Sequence, residues 1–241
     1  MPVADPLPTV ARGVFVTGTD TEVGKTLASC ALIHALRSTG LTVAAMKPVA
    51  TGDIAEAEDA LALQQASGLD LPLKRINSFL YAPAIAPHLA AAQAHRKIEM
   101  RRIQRDYGYL TERAQCVVVE GVGGWMVPLG PRLMLADIPQ RLNLPVVLVV
   151  GLRLGCLNHA LLSARAIADD GLELRGWIGS AVDPAMASRN DNIEALKRRL
   201  PAPCLGIIPP LAGRDRAQQA VKHLRTRGLE QTLWPNTKGP A

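Results

Sequence analysis

The residues best able to do chemistry in this chain fall in short runs that combine glycine with a charged group. The first is Gly18-Thr19-Asp20-Thr21-Glu22-Val23-Gly24-Lys25-Thr26, followed by Leu27. Glycine lets backbone approach a ligand closely, and amides at a helix start face an anion. A lysine there reaches terminal phosphates, and a threonine hydroxyl can ligate Mg2+. The usual spacing leaves four residues between the first glycine and Gly-Lys-Thr; here there are five, Thr19 to Val23. The run predicts a nucleoside triphosphate site built from Glu22, Val23, Gly24, Lys25, Thr26 and Leu27.

Three further runs sit at the ends of predicted strands. Lys47-Pro48-Val49-Ala50-Thr51-Gly52 places a lysine where it can be either a solvated turn residue or a cation aimed at phosphate or an anionic substrate. Glu120-Gly121-Val122-Gly123-Gly124-Trp125 ends an apolar strand in a carboxylate, which is costly unless it is paired or on metal. Its position matches the acidic strand end that completes Mg2+ binding in phosphate-loop enzymes. Arg153-Leu154-Gly155-Cys156-Leu157-Asn158-His159 opens a helix, and a glycine-containing turn there suits a carboxylate. Asp59 opens another helix, where it is either a cap or a magnesium ligand. His159 reads as a first-turn residue, and His34, His88, His95 and His223 have no metal-ligand spacing.

The elements that would carry these runs alternate. Strands are predicted at Val14–Thr17, Val43–Met46, Cys116–Glu120, Val146–Val150, Leu174–Val182 and Cys204–Ile208. Helices are predicted at Lys25–Ser38, Asp59–Ser67, Ile98–Ala114, Asn158–Asp170 and Asn190–Leu200, with Gly40, Gly68 and Gly171 at helix ends. Near-continuous apolar runs such as CVVVE and PVVLVVG suit strands buried on both faces. The fold class expected is α/β, a doubly wound, mostly parallel sheet with helices on both faces, in which ligands bind beyond the carboxyl ends of the strands. One domain over residues 1–241 is expected, with 1–12 and 228–241 as loose ends rich in Pro, Gly and polar residues.

Composition excludes several classes. With 241 residues, 48% hydrophobic and 20% charged, the chain can bury a core and is not globally disordered. Eight aromatic residues are too few for the stacking platforms of a single-strand nucleic-acid binder. The +6 net charge arises beyond residue 188, where 10 basic residues face 4 acidic ones; this reads as a solvated basic face. The longest apolar run, Leu144–Leu152, falls short of the roughly 20 residues a spanning helix needs. Residues 1–13 lack the pattern of a secretory signal, and Cys30, Cys116, Cys156 and Cys204 are dispersed, as buried thiols in a reducing compartment would be. The expectation is a cytoplasmic protein with no membrane and no nucleic-acid partner.

Taken together, GTDTEVGKT (18–26), KPVATG (47–52), DALAL (59–63), VEGVGGW (119–125), LGCLNHA (154–160), GW (176–177) and IPPL (208–211) resemble the dethiobiotin synthetases in sequence and order, over about residues 13–212. The resemblance implies a ligase of biotin biosynthesis that carboxylates and cyclises 7,8-diaminopelargonate with CO2 (or bicarbonate) and ATP. It implies Lys25, Lys47 and Thr21 as catalytic groups and Mg2+ on Thr26, Asp59 and Glu120. Nucleotide contacts would extend to Gly121, Val122, Gly123, Ser180, Ala181, Pro209, Pro210 and Leu211. Thr21, Lys47 and Thr51 would meet the substrate. The backbone of Leu154, Gly155, Cys156, Leu157 and Asn158 would hold its carboxylate across a homodimer interface. One departure stands out: the family commonly has an Asn that reads the purine edge where this chain has Ser180.

Other readings remain open from the residues. An amide-forming synthetase of the cobyrinate-diamide type usually carries a glutaminase domain with a catalytic Cys, for which there is no space. A partitioning or septum-placement ATPase carries an extra lysine in its loop, absent here. A non-catalytic nucleotide-binding scaffold would not need Lys47, Asp59 and Glu120.

Overall fold

In the computed structural model, which describes residues 12–52, 57–213 and 215–235, the runs singled out above gather along one edge of a sheet. Six strands, β1 (Arg12–Gly18), β2 (Val43–Met46), β5 (Cys116–Glu120), β6 (Val146–Gly151), β7 (Leu174–Ser180) and β8 (Cys204–Ile208), lie in the order β2-β5-β1-β6-β7-β8. Every pairing is parallel. A small parallel pair, β3 (Val49–Thr51) and β4 (Phe79–Tyr81), forms a second sheet.

Side chains alternate across the sheet, and each face buries its own cluster. Cys116 and Val118 join Val14, Val16, Val43 and Ala45 under α1 (Lys25–Arg37), α2 (Glu58–Ser67), α9 (Arg216–Val221) and α10 (Leu229–Leu233). Val117 and Val119 join Phe15, Ala44 and Met46 under α5 (Met100–Thr111) and α6 (Asp137–Leu142). Beyond them Leu148, Val150 and Trp177 pack against α7 (Cys156–Asp169) and α8 (Arg189–Arg199). The expected doubly wound α/β sheet with helices on both faces is the observed fold. Short helices α3 (Leu73–Ile76) and α4 (Pro87–Gln93) flank the small sheet.

Registers do the positioning. Met46 pairs with Val119 and Val16 with Glu120, so Lys47 and Glu120, each one residue further on, leave the sheet side by side. By alternation both belong to the face covered by α1, the helix that starts at Lys25 and Thr26.

Several boundaries differ from the sequence expectation. The Ile98–Ala114 helix narrows to Met100–Thr111, the Asn158 helix starts earlier, at Cys156, and the seventh strand ends at Ser180. The expected loose C-terminal segment from 228 does not hold for residues 228–235. Leu229, Leu233 and Trp234 are buried, Trp234 Nε1 donates to Gly13 O at 2.9 Å, and Arg12 pairs with Glu230 at 2.8 Å. Apolar side chains at i, i+4 and i+5 give this stretch a core-facing stripe that its Pro and Gly content masked. Residues 1–11 and 236–241 of the expected loose ends lie outside the described residues, and Arg12 opens β1. All four cysteines are buried and free, as expected. Among the described residues no helix is long and apolar enough to cross a membrane.

Candidate active site

The loop after β1 turns sharply. Gly24 caps α1 in the left-handed region at φ 82°, and Glu22 adopts φ 57° without being glycine. A side chain at Gly24 would strike Ser180 Oγ at 2.7 Å, so glycine is needed there for both backbone and space. Val23 is buried against Gly151, Lys25 is 7% exposed, and Thr21 stands exposed at the loop tip beside Gly123. Lys25 Nζ donates to Asp20 O at 2.8 Å, folding the side chain back over its own loop. Burial, then the charge of Lys47, lower its pKa to about 8.

Behind the loop is a cluster of charges from three elements. Lys47, 3% exposed, places Nζ 2.5 Å from Glu120 Oε1 and 2.7 Å from Asp59 Oδ2, and donates to Gly121 O at 3.2 Å. Thr26 Oγ1 lies 2.6 Å from Asp59 Oδ1 and 3.0 Å from Glu120 Oε1. Burial favours loss of the Lys47 proton, but Glu120 and Asp59 outweigh it and hold its pKa above the ordinary value. Asp59, half-exposed, is pushed the other way. Desolvation opposes its charge, yet the Lys47 ammonium and the Thr26 hydroxyl hold its pKa below the usual carboxylate value.

Glu120 is fully buried, and its Oε2 has no hydrogen-bond partner. A buried carboxylate oxygen without a partner is costly. Beside a threonine hydroxyl and a second carboxylate it makes the all-oxygen donor set that Mg2+ takes from a phosphate-loop protein, with water and phosphate completing the shell. Thr26, Asp59 and Glu120 therefore fit the ion.

The other expected residues are spread along the strand ends. Gly121, Val122 and Gly123 continue from β5, with Gly123 at φ 63°, and Thr51 ends β3 half-buried. Ser180 ends β7 and Ala181 follows it. Both are buried, and Ala181 N donates to Ile208 O, beside which Pro209, Pro210 and Leu211 continue. Leu154 is 94% exposed, Gly155 caps α7 at φ 92° with no side-chain cap, and Asn158 is exposed. This turn is joined to the phosphate loop by contacts but is not part of the charge cluster. A cavity of about 450 Å³ opens from Thr26 and Asp59 between α1, α2 and Asp215–Gln218.

Sequence reasoning missed two supports. Asn77 is buried between the sheets, its Nδ2 donating to Lys47 O at 2.6 Å and Phe79 O at 3.2 Å, while Lys47 N donates to Ile76 O at 2.8 Å. Nothing in its local sequence marks it. Asp20 and Arg153 form an ion pair between the phosphate loop and the turn before α7. Opposite charges in two glycine-containing turns were the available signal.

A family profile described as an AAA domain matches residues 12–218. Curated relatives named ATP-dependent dethiobiotin synthetase BioD match almost end to end. The protein from Aromatoleum aromaticum is 49% identical over 217 residues, 88% of this chain and 96% of that protein. That from Pseudomonas paraeruginosa is 51% identical over 221 residues, 89% and 96% respectively. The chain belongs to the dethiobiotin synthetase family. Among solved structures, a MinC:MinD cell division complex from Aquifex aeolicus aligns with TM-score 0.58 at 14% identity, covering 96% of this chain and 98% of that one. Cell division protein FtsY from Thermotoga maritima aligns with TM-score 0.52 at 15% identity, over 95% and 69%. At such identities these two show a shared phosphate-loop fold and nothing of activity. Dethiobiotin synthetase motifs thus sit here on a sheet architecture that these two cell division proteins share.

Proposed function

We propose that the protein is an ATP-dependent dethiobiotin synthetase, which carboxylates 7,8-diaminopelargonate and closes its ureido ring, forming dethiobiotin, ADP and phosphate. The observation that carries this reading is near-full-length similarity to curated synthetases together with the Lys47–Asp59–Glu120–Thr26 cluster behind a phosphate loop.

One substrate amine adds to CO2 and loses a proton, giving a carbamate. A carbamate oxygen attacks the γ-phosphorus of ATP, and ADP leaves. The second amine then attacks the carbonyl carbon of the mixed anhydride; the C–N bond forms, the amine gives up a proton, and the C–O bond breaks with its electron pair leaving on phosphate. No strong general base is required, because a carbamate is already nucleophilic.

The difficulty is bringing two anions together, which favours fixed cations. Lys25 would exchange Asp20 O for the phosphates, aided by the amides of Glu22–Leu27 and Gly121–Gly123. Lys47 would bridge carbamate and γ-phosphate. Thr26, Asp59 and Glu120 would hold Mg2+, which supplies Lewis-acid polarisation of phosphoryl oxygens when bound. Thr21 and Thr51 offer hydroxyls to the carbamate or free amine. Backbone around Ser180, Ala181 and Pro209–Leu211 would meet the base. The amides of Leu154–Asn158 would take the substrate carboxylate of a partner subunit in a homodimer, to which exposed Leu154 and Leu162 are suited. The location that fits is cytoplasmic.

The test is incubation with ATP, Mg2+, bicarbonate and diaminopelargonate, assaying phosphate and the cyclic urea. Phosphate release that does not depend on the diamine, with no urea formed, defeats the assignment.

A further inference from the structure

Asp20 is the most heavily used residue of the phosphate loop, and none of the chemistry above calls on its side chain. Its carbonyl accepts Lys25 Nζ at 2.8 Å, its Oδ1 accepts Thr21 N at 2.8 Å, and its Oδ2 accepts Arg153 Nη2. The carboxylate and the Lys25 contact are on one residue, so a negative charge stands within a few bonds of where a triphosphate would meet the lysine. Its field reaches Lys25, whose pKa it raises against the stronger effects of burial and Lys47. A bare carboxylate there would repel a polyanion, since the separation is less than the screening length of about 8 Å.

Arg153 comes from the adjacent strand, in the turn between β6 and α7. Two further contacts hold the end of β6, from which that turn leaves, against the loop. Gly151 N donates to Thr19 Oγ1 at 3.2 Å, and Val23 Cγ1 would be 2.7 Å from a Cβ at Gly151. The guanidinium is thus delivered to Asp20 by packing that does not depend on the ion pair. Both side chains are partly exposed, 40% for Arg153 and 48% for Asp20, so the pair adds little to folding.

We infer that Arg153 is a positioning residue for nucleotide binding: it neutralises Asp20 so that the carboxylate can cap the loop without repelling the triphosphate. The inference rests on the loop binding ATP, as the proposed function requires. Because the same turn presents residues 154–158, the pair also joins the nucleotide loop to the segment assigned to the substrate carboxylate.

The test uses calorimetry on the full chain with Mg2+ and a non-hydrolysable ATP analogue. Arg153→Met should weaken binding about tenfold, and adding Asp20→Asn, which keeps the Thr21 cap and removes the charge, should restore it to within about threefold of wild type. Arg153→Lys should bind almost as wild type, and covers the case in which Arg153→Met folds poorly. A purely structural bridge gives the opposite pattern, because the second substitution then repairs nothing. Unchanged binding by Arg153→Met, a paired variant as weak as the single one, or Arg153→Lys as weak as Arg153→Met overturns the inference. Failure of the wild-type protein to bind the analogue overturns the functional reading instead.

Discussion

The two regions that the proposed function assigns to anions are built by opposite means. The cluster at Lys47, Asp59 and Glu120 has two buried charges, Lys47 and Glu120, beside the half-exposed Asp59, each group compensated within a few ångströms by another. The turn at Leu154–Asn158 has no charged group of its own. It offers backbone N–H groups at a helix start, with Leu154 almost fully exposed beside them. A protomer can complete the first by itself, because opposite charges and registers are all in one chain. The second leaves apolar surface uncovered, as a site finished by association would. Buried charge suits a reacting centre, where fixed dipoles need no reorganisation, and backbone amides suit recognition of a group that does not change.

The sharpest way to break this contrast is at Lys47. Lys47→Ala should lower kcat by about 10²–10³-fold, the typical effect of removing a group that stabilises transition-state charge. It should also cost about 3–5 kcal/mol of stability, since Glu120 is left buried and uncompensated. Lys47→Met with Glu120→Gln should recover most of that stability in a denaturant titration but no turnover. If activity returns with stability, the cluster is a fold device and not a reacting centre.

Lys25 supplies a pH signature. Its pKa lies near 8 in the free protein, so it loses charge as pH rises through that value. Affinity for the Mg2+–ATP analogue should therefore fall above about pH 8, by up to tenfold per unit. Lys25→Gln should bind weakly with little of this dependence. Folding has the reverse sign: a lysine pKa depressed below its ordinary 10.5 makes stability rise with pH between about 8 and 10.5. A flat affinity profile in the wild type rules out the ammonium as the principal phosphate contact.

The exposed region should respond differently. Leu154→Glu with Leu162→Glu should give monomers by sedimentation and raise the KM for diaminopelargonate about tenfold, leaving analogue affinity within about twofold. Monomers with normal substrate KM would show that the turn does not hold the carboxylate across an interface, and an unchanged oligomeric state would show that this face does not serve association.

Smallest is the effect at Ser180. A serine has one rotatable donor where an asparagine both donates and accepts, and each lost neutral hydrogen bond is worth about 0.5–1.5 kcal/mol. CTP, GTP and ITP should therefore compete with ATP, and Ser180→Asn should sharpen the preference. Its hydroxyl lies against Gly24, so the larger side chain must turn away from the loop to do so. A wild type that already prefers ATP by several hundredfold, unchanged in the variant, shows that the base is read elsewhere.

The sequence by itself determined the strand ends and their chemistry, because the signals are local. A β-branched run, a glycine turn and a charged residue in succession mark a sheet edge, whatever the topology. Thus Lys25, Thr26, Lys47 and Glu120 are legible as candidate site residues. Tertiary structure decided which charges share a cluster. Only the pairing of Met46 with Val119 sets Lys47 beside Glu120, and only the placement of α2 under α1 brings Asp59 to Thr26. Asn77 and the Asp20–Arg153 pair are joined across 30 and 133 residues, distances over which spacing carries no information. The same holds at the C-terminus. Its polar composition hid α10 and the Trp234 that follows it; Leu229, Leu233 and Trp234 are buried where this segment packs back against β7 and the start of β1, since burial depends on what arrives from elsewhere in the chain.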